Sequence, residues 1–186
     1  MRSLHKYSDE ATKEDQNYCL REAVINDSAL LSELGARAFR EAFESFMSPF
    51  TMDAHIAATY NQSRQMDELA DSSKKILIIE QGGIAAGYAL LHAHESPLVV
   101  RDVNSIELSR IYLRQDFIGH GLGRALMLEC LEEARRRDHK SIWLAVWEKN
   151  ERAVSFYGKF GFERVGIRPK NADSSAGEDL IMCRLL

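Results

Sequence analysis

The stretch "IYLRQDFIGHGLGRALM", residues 111 to 127, sets three glycines between an apolar run of strand type and one of helix type. Glycine is costly inside regular structure and useful where a backbone turns sharply or approaches a ligand closely. Gly119, Gly121 and Gly123 therefore mark a strand–turn–helix junction. The first N–H groups of a helix have no internal partner, and the helix dipole favours negative charge there, so such a junction is an anion site. Phosphate is its usual guest. A Walker loop would end in Gly-Lys-Ser/Thr, and a dinucleotide fingerprint would read G-x-G-x-x-G; this chain has G-H-G-L-G followed by Arg124, which is neither. On these residues alone a phosphate cradle and a ligand-free tight turn both stand.

The surrounding pattern gives the fold class. Residues 1–17 are polar and read as a flexible arm, and 18–186 read as one domain. "YCLREAV" (18–24) reads as a strand, and 26–43 as a helix capped by Asp27 or Ser28, with Leu30, Leu31, Leu34 and Ala38 at helical spacing. "SPF" (48–50) reads as a break, followed by a helix over Met52–Tyr60 and a further helical piece to about Leu69. Residues 74–93 are two apolar strands around Gly82-Gly83, a hairpin signal. Residues 105–113 form a strand, with Ile106, Leu108, Arg110 and Tyr112 alternating against Glu107, Ser109, Ile111 and Leu113. A long helix to about Arg137 follows the glycines, its Leu122, Leu126, Cys130 and Ala134 forming an i+4 ladder. "SIWLAVW" (141–147) reads as a buried strand, 150–160 as a helix stopped by Gly161, and 162–170 and 178–186 as closing strands around the loop 171–177. Strand–helix alternation after hairpin strands predicts an α/β protein with a mixed sheet.

Composition narrows the function classes. A hydrophobic content of 45% suffices for a core, and a net charge of −4 supplies no basic field for a nucleic acid. No apolar run reaches membrane-spanning length, and the opening residues lack a signal-peptide core. Cys19, Cys130 and Cys183 form no CxxC pair and read as reduced thiols of a cytoplasmic protein. His92-x-His94 puts two imidazoles on one strand face; sequence shows no third ligand, so no metal site is expected. Arg135-Arg136-Arg137 ends a helix, where positive charge suits the dipole.

Two separated motifs go further. "ELSRIYLRQDFIGHGLGRALM" followed by "SIWLAVWEKNERAVSFYGKFGF" resembles the GNAT superfamily of N-acetyltransferases. The first motif, Arg/Gln-x-x-Gly-x-Gly/Ala, is matched by residues 118–123, with Ile118 departing from the Arg/Gln position. The second is matched by Asn150, Phe156-Tyr157 and Gly161-Phe162. "RIYL", "HGLG", "VWEKNERA" and "EDLIMCRLL" are similar to the bacterial spermine/spermidine N-acetyltransferase subgroup.

The resemblance implies a GNAT-like fold: a mostly antiparallel central sheet, splayed at the cofactor site and flanked by helices. It implies acetyl-CoA as co-substrate, its pyrophosphate on the N–H groups of Gly119, His120, Gly121, Leu122, Gly123 and Arg124, with Arg114 adding charge. The pantetheine arm would lie along Ile111, Tyr112 and Leu113 like an added strand, with Trp143–Ala145 splaying away and Asn150 contacting it. Asn150 also suits a helix N-cap. Tyr157 would donate to the leaving sulfur, and Glu107 would take the amine proton directly or through water. Without the resemblance, Tyr157 reads as a packed helix tyrosine beside Phe156 and Phe160, and Glu107 as a carboxylate paired with a neighbouring base. The expected acceptor is a polyamine or other small amine, selected by Glu41, Glu44, Asp53, Asp173, Glu178 and Asp179. Alternatives are a protein N-terminal or lysine acetyltransferase and a non-catalytic acyl-CoA-binding module. The oligomeric state, homodimer included, is left open.

Overall fold

The computed structural model describes residues 18–101, 104–168 and 177–186. The expected arm 1–17, most of the loop 171–177 and Asp173 lie outside the described residues. The elements run β1 (Tyr18–Glu22), α1 (Ser28–Phe43), α2 (Pro49–Thr59), α3 (Gln62–Ala70), β2 (Lys74–Gln81), β3 (Ile84–His92), β4 (Ser105–Leu113), α4 (Leu122–Arg136), β5 (Ser141–Trp147), α5 (Glu151–Lys159), β6 (Glu163–Arg168) and β7 (Asp179–Leu185). The strands form one seven-stranded sheet in the order β1-β2-β3-β4-β5-β7-β6. Every neighbouring pair is antiparallel except β4 with β5, which are parallel and joined through α4. A parallel pair needs such a crossover, whereas the Gly82-Gly83 turn joins β2 to β3 directly.

Helices cover both faces. That is why "ILII" (76–79) is buried without a period of two: Leu77 and Ile79 join the cluster under α4, while Ile76 and Ile78 pack towards Leu31 and Leu34 of α1. The expected ladder Leu122, Leu126, Cys130 and Ala134 is wholly buried. Arg135, Arg136 and Arg137 are ion-paired to Glu132, Glu129 and Glu133 of the same helix.

One boundary differs from expectation for a local reason. Ser48-Pro49-Phe50 is a helix start rather than a break: the Ser48 side chain accepts from the Thr51 N–H, and Pro49 sits at the first helical position, where no N–H is needed. Asp27 is the N-cap residue of α1, as expected, but its side chain makes no capping bond to the helix. Its carboxylate accepts from the Val24 N–H at 2.8 Å and pairs with Arg21 at 2.7 Å, which fixes the turn before the helix. No helix among the described residues is long and apolar enough to cross a membrane.

Candidate active site

The site begins where the sheet comes apart. β4 pairs with β5 only over Ser105–Glu107 against Ser141–Trp143. Past that point β4 remains paired to β3 as far as Leu113, and β5 remains paired to β7 as far as Trp147. The two halves of the sheet stay intact while the seam between them opens. The far edge of β4 thus presents unpaired backbone groups, which is normally a liability in a protein interior and a template for an extended ligand. The opening starts one residue later on β5 than expected, since Trp143 still faces Glu107.

A cavity of about 530 Å³ occupies the opening, bounded by Ile111, Tyr112 and Leu113 on one side and by Asn150, Phe156 and Tyr157 on the other. Gly119, Gly121, Gly123 and Arg124 form its end wall. Gly121 is the N-cap of α4, with φ of 80°, and no side chain caps the helix there. The N–H groups of Leu122, Gly123 and Arg124 lack intrahelical acceptors by geometry. A side chain at Gly121 would adopt a strained backbone and project into space free of protein atoms within 4 Å. Gly123 is different. A Cβ there would lie 3.2 Å from Leu113 Cδ1 and 3.6 Å from Phe156, so this glycine chiefly lets α4 sit close to β4 and α5.

The other expected residues divide. Leu122 is buried in the core, so only its backbone is available. The His120 side chain is exposed and is not on the cavity wall. Arg114 is bound by Asp116 at 2.6 Å and stacks on Phe117 at 5.1 Å, which leaves Arg124 as the cation at the turn. The Tyr112 ring packs edge-on against Tyr88, and its hydroxyl lies 3.3 Å from that of Tyr60. Asn150 is the N-cap of α5, accepting from the Ala153 N–H at 3.1 Å. Tyr157 packs against the Phe156 and Phe162 rings, and burial raises its pKa well above the usual phenol value. At neutral pH its hydroxyl is a neutral hydrogen-bond donor.

Glu107 stands at the apex of the opening. Its neighbours Ile106 and Leu108 belong to the core under α4, so Glu107 faces the opposite side of the sheet. Its carboxylate accepts from the Ser109 hydroxyl and lies 3.0 Å from His94 Nε2. His92 is its cross-strand partner on β3, and burial lowers the pKa of that imidazole. The expected reading without a ligand paired Glu107 with a lysine or arginine; its partners are instead a hydroxyl and an imidazole. Glu107 also supplies the third ligand that the His92-x-His94 pattern lacked, because His92, His94 and Glu107 bring ligand atoms within 4.8 Å of one another. The missed signal was register: a bulge at Ser109, between the pairs Leu90–Arg110 and Leu91–Leu108, sets Glu107 opposite His92.

Three of the six expected acceptor carboxylates are engaged in ion pairs. Glu41 pairs with Arg37 at 2.8 Å and accepts from the Gln115 N–H at 3.0 Å, which ties α1 to the cavity rim. Asp53 pairs with Arg40 and Asp179 with Arg168, each at 3.0 Å. Glu44 is exposed. Sequence reading also missed Glu68, a buried carboxylate on α3 that grips Arg110 through two hydrogen bonds of 2.7 and 3.0 Å directly behind β4.

Comparison with known proteins fits this geometry. The family model described as the acetyltransferase (GNAT) family matches residues 37–162. An uncharacterised N-acetyltransferase of Mycobacterium tuberculosis is 30% identical over 162 residues, covering 87% of this chain and 99% of that one. A putative [ribosomal protein bS18]-alanine N-acetyltransferase of Bacillus subtilis is 29% identical over 74% of this chain and 80% of its own. A spermidine N(1)-acetyltransferase of Thermoplasma acidophilum is 23% identical over 88% of this chain and 94% of its own. Among solved structures, the PaiA N-acetyltransferase of Thermoplasma acidophilum in complex with coenzyme A has a TM-score of 0.73 at 21% identity, covering 91% of this chain and 99% of that one.

Proposed function

The chain belongs to the acetyltransferase (GNAT) family and is an acetyl-CoA-dependent N-acetyltransferase; on that premise, we propose that it acetylates a primary amine of a polyamine or other small amine by direct attack in a ternary complex. The observation that carries the reading is the unpaired β4 edge ending at the glycine turn. We place the pyrophosphate on the N–H groups of residues 119–124 and the amide-rich pantetheine arm along Ile111–Leu113, hydrogen-bonded as an added strand. Asn150 contacts the arm from the opposite wall. The thioester then reaches the apex, with Tyr157 on one side and Glu107 on the other face of the sheet.

Each residue has a defined task. A primary amine with a pKa of about 10 is neutral in roughly one molecule per thousand at pH 7, an entry cost of about 4 kcal/mol. Glu107 takes that proton, directly or through a water, as the nitrogen attacks the thioester carbon. The C–S bond breaks as the tetrahedral centre collapses, and the thiolate accepts a hydrogen bond from Tyr157. Because burial raises the phenol pKa further above that of a thiol, donation of a hydrogen bond is favoured over full proton transfer. Amine and cofactor approach from opposite faces of the sheet, so neither has to leave before the other binds.

The polyamine acceptor is supported by the relative named a spermidine N(1)-acetyltransferase and by exposed Glu44, a carboxylate open to a polycation. The runner-up, a protein N-terminus or lysine, is favoured by the engagement of Glu41, Asp53 and Asp179 in ion pairs, which leaves fewer carboxylates for a polycation. Three free cysteines support a cytoplasmic location. A thiol-release assay with acetyl-CoA across polyamines, amino acids, aminoglycosides and peptides separates these readings. The expected result is a higher kcat/KM for spermidine or spermine than for single amino acids, with KM rising with salt as exposed charge pairs are screened. Turnover of a peptide N-terminus without turnover of polyamines would install the runner-up. Tight acetyl-CoA binding with no acceptor at all would leave a non-catalytic module.

A further inference from the structure

The cluster behind the fork has its own chemistry. His92 ends β3, His94 follows two residues later, and Glu107 faces them from β4. The two imidazole rings lie 4.3 Å apart, and His94 Nε2 is 3.0 Å from the Glu107 carboxylate. Two imidazoles and a carboxylate are the donor set of borderline divalent metals, neither the all-oxygen set of calcium and magnesium nor the sulfur set of copper(I). Tetrahedral bonds of about 2.0–2.2 Å put ligand atoms about 3.4 Å apart. The His94–Glu107 pair, at 3.0 Å, is already within about 0.4 Å of that spacing. The widest separation is at most 4.8 Å, so it must contract by at most about 1.4 Å, which side-chain rotations of half-buried His92 and exposed His94 can supply. The same exposure leaves a fourth position open to water, while Trp143, 5.7 Å from the His94 ring, closes one side.

We propose that His92, His94 and Glu107 form a three-ligand site for a borderline divalent transition metal of the zinc class, and that occupancy switches acetyl transfer off. A carboxylate that donates its lone pair to a metal cannot also accept the amine proton. This second half rests on Glu107 being the base; the metal site itself does not. Unlike a resident catalytic metal, the ion here is an inhibitor, and the active form of the enzyme is metal-free.

The test uses the full, untagged chain titrated with Co²⁺ in chelator-free buffer, read by visible absorption and by displacement with Zn²⁺. The expected result is one Co²⁺ per chain, bound more tightly than about 1 mM, with ligand-field bands and no thiolate-to-cobalt band. His92→Ala and His94→Ala should each weaken binding at least about tenfold, since losing a ligand costs no less than losing a ligand's outer-shell partner. His139→Ala should leave it unchanged, because His139 bonds Asn104 elsewhere. Circular dichroism confirms that each variant is folded. Absence of binding, binding that survives both triad substitutions, or a thiolate band abolished by Cys19→Ser or Cys183→Ser would overturn the site. In parallel, acetylated product is measured by mass with and without Zn²⁺. Inhibition reversed by EDTA and weakened at least about tenfold in His94→Ala, relative to that variant's own rate, supports the switch. Metal bound at the triad with undiminished turnover would overturn the switch and remove Glu107 as base, while leaving the site standing. Failure to bind metal with normal turnover would sink the site and leave Glu107 untouched.

Discussion

Replacing Gly121 by alanine separates the fold from the cofactor site. Gly121 has φ of 80°, so an alanine there pays the left-handed penalty of about 1–2 kcal/mol. No protein atom lies within 4 Å of the new methyl, so the cost to the fold stops at that strain. For a chain of this size the melting temperature should fall by roughly 2–8 °C. The methyl projects into the cavity at its glycine wall, where the pyrophosphate is proposed to sit. Displacing the phosphate from one or two N–H groups forfeits charge-assisted hydrogen bonds of about 1.5–3 kcal/mol each. The dissociation constant for coenzyme A should therefore rise at least about tenfold, with roughly a further tenfold for each additional 1.4 kcal/mol. Gly82→Ala is the control. Its φ is 60° and its surroundings are equally open, but it lies in the β2–β3 turn away from the cavity. It should lose a similar amount of stability and no coenzyme A affinity. Isothermal titration calorimetry and thermal melts read both quantities. A folded Gly121→Ala chain that binds coenzyme A as tightly as the parent would refute the placement of the pyrophosphate.

Three other outcomes are expected. Tyr157→Phe keeps the ring between Phe156 and Phe162 and removes only the hydroxyl, so kcat should fall roughly ten- to a thousandfold at nearly constant coenzyme A affinity; steady-state kinetics with chemistry shown to be rate-limiting decides it. Glu68→Ala leaves Arg110, whose side chain is 13% exposed, without its buried partner and should cost about 3–5 kcal/mol in urea denaturation; a loss under about 1 kcal/mol would make the pair a surface-like contact. Burial raises the pKa of Tyr60, Tyr88, Tyr112 and Tyr157, so above pH 10 these phenols ionise in the unfolded chain and not in the folded one. Unfolding then releases protons, and stability should be lost as pH rises beyond 10. Absorbance at the tyrosinate band should show these four titrating together with unfolding, and reversible ionisation of all of them in the folded chain would contradict the burial.

The glycine turn and α4 were legible in sequence because their causes are local: positive φ selects glycine, and a helix face repeats every three to four residues. Ser48-Pro49 was misread for a local reason too, since the same residues serve as a breaker and as a helix start, and only the following turn decides. The fork was legible only through the resemblance, which implied that Trp143–Ala145 splays away, and not in the residues themselves. Nothing in "SIELSRIYL" or "SIWLAVW" says that two strands pair for three residues and then part, because parting depends on how β3 and β7 hold the outer edges. Glu107 was visible as a residue but not in its surroundings, as its partners His94 and Ser109 depend on a one-residue bulge that shifts cross-strand register. Carboxylates were counted for the acceptor by their charge; the fold spends Asp53 and Asp179 on arginines that sequence spacing does not reveal, and Glu41 on Arg37, an i,i+4 pair that it does.

A crystal structure of the chain with a coenzyme A–spermidine bisubstrate analogue tests the central claim most directly. The account predicts pyrophosphate oxygens within hydrogen-bond distance of the N–H groups of residues 119–124. It also predicts the pantetheine arm paired to the open edge of β4, and the acyl linker at the fork between Tyr157 and Glu107. A linker bound outside the opening between β4 and β5, or a pyrophosphate away from the glycine turn, would contradict it.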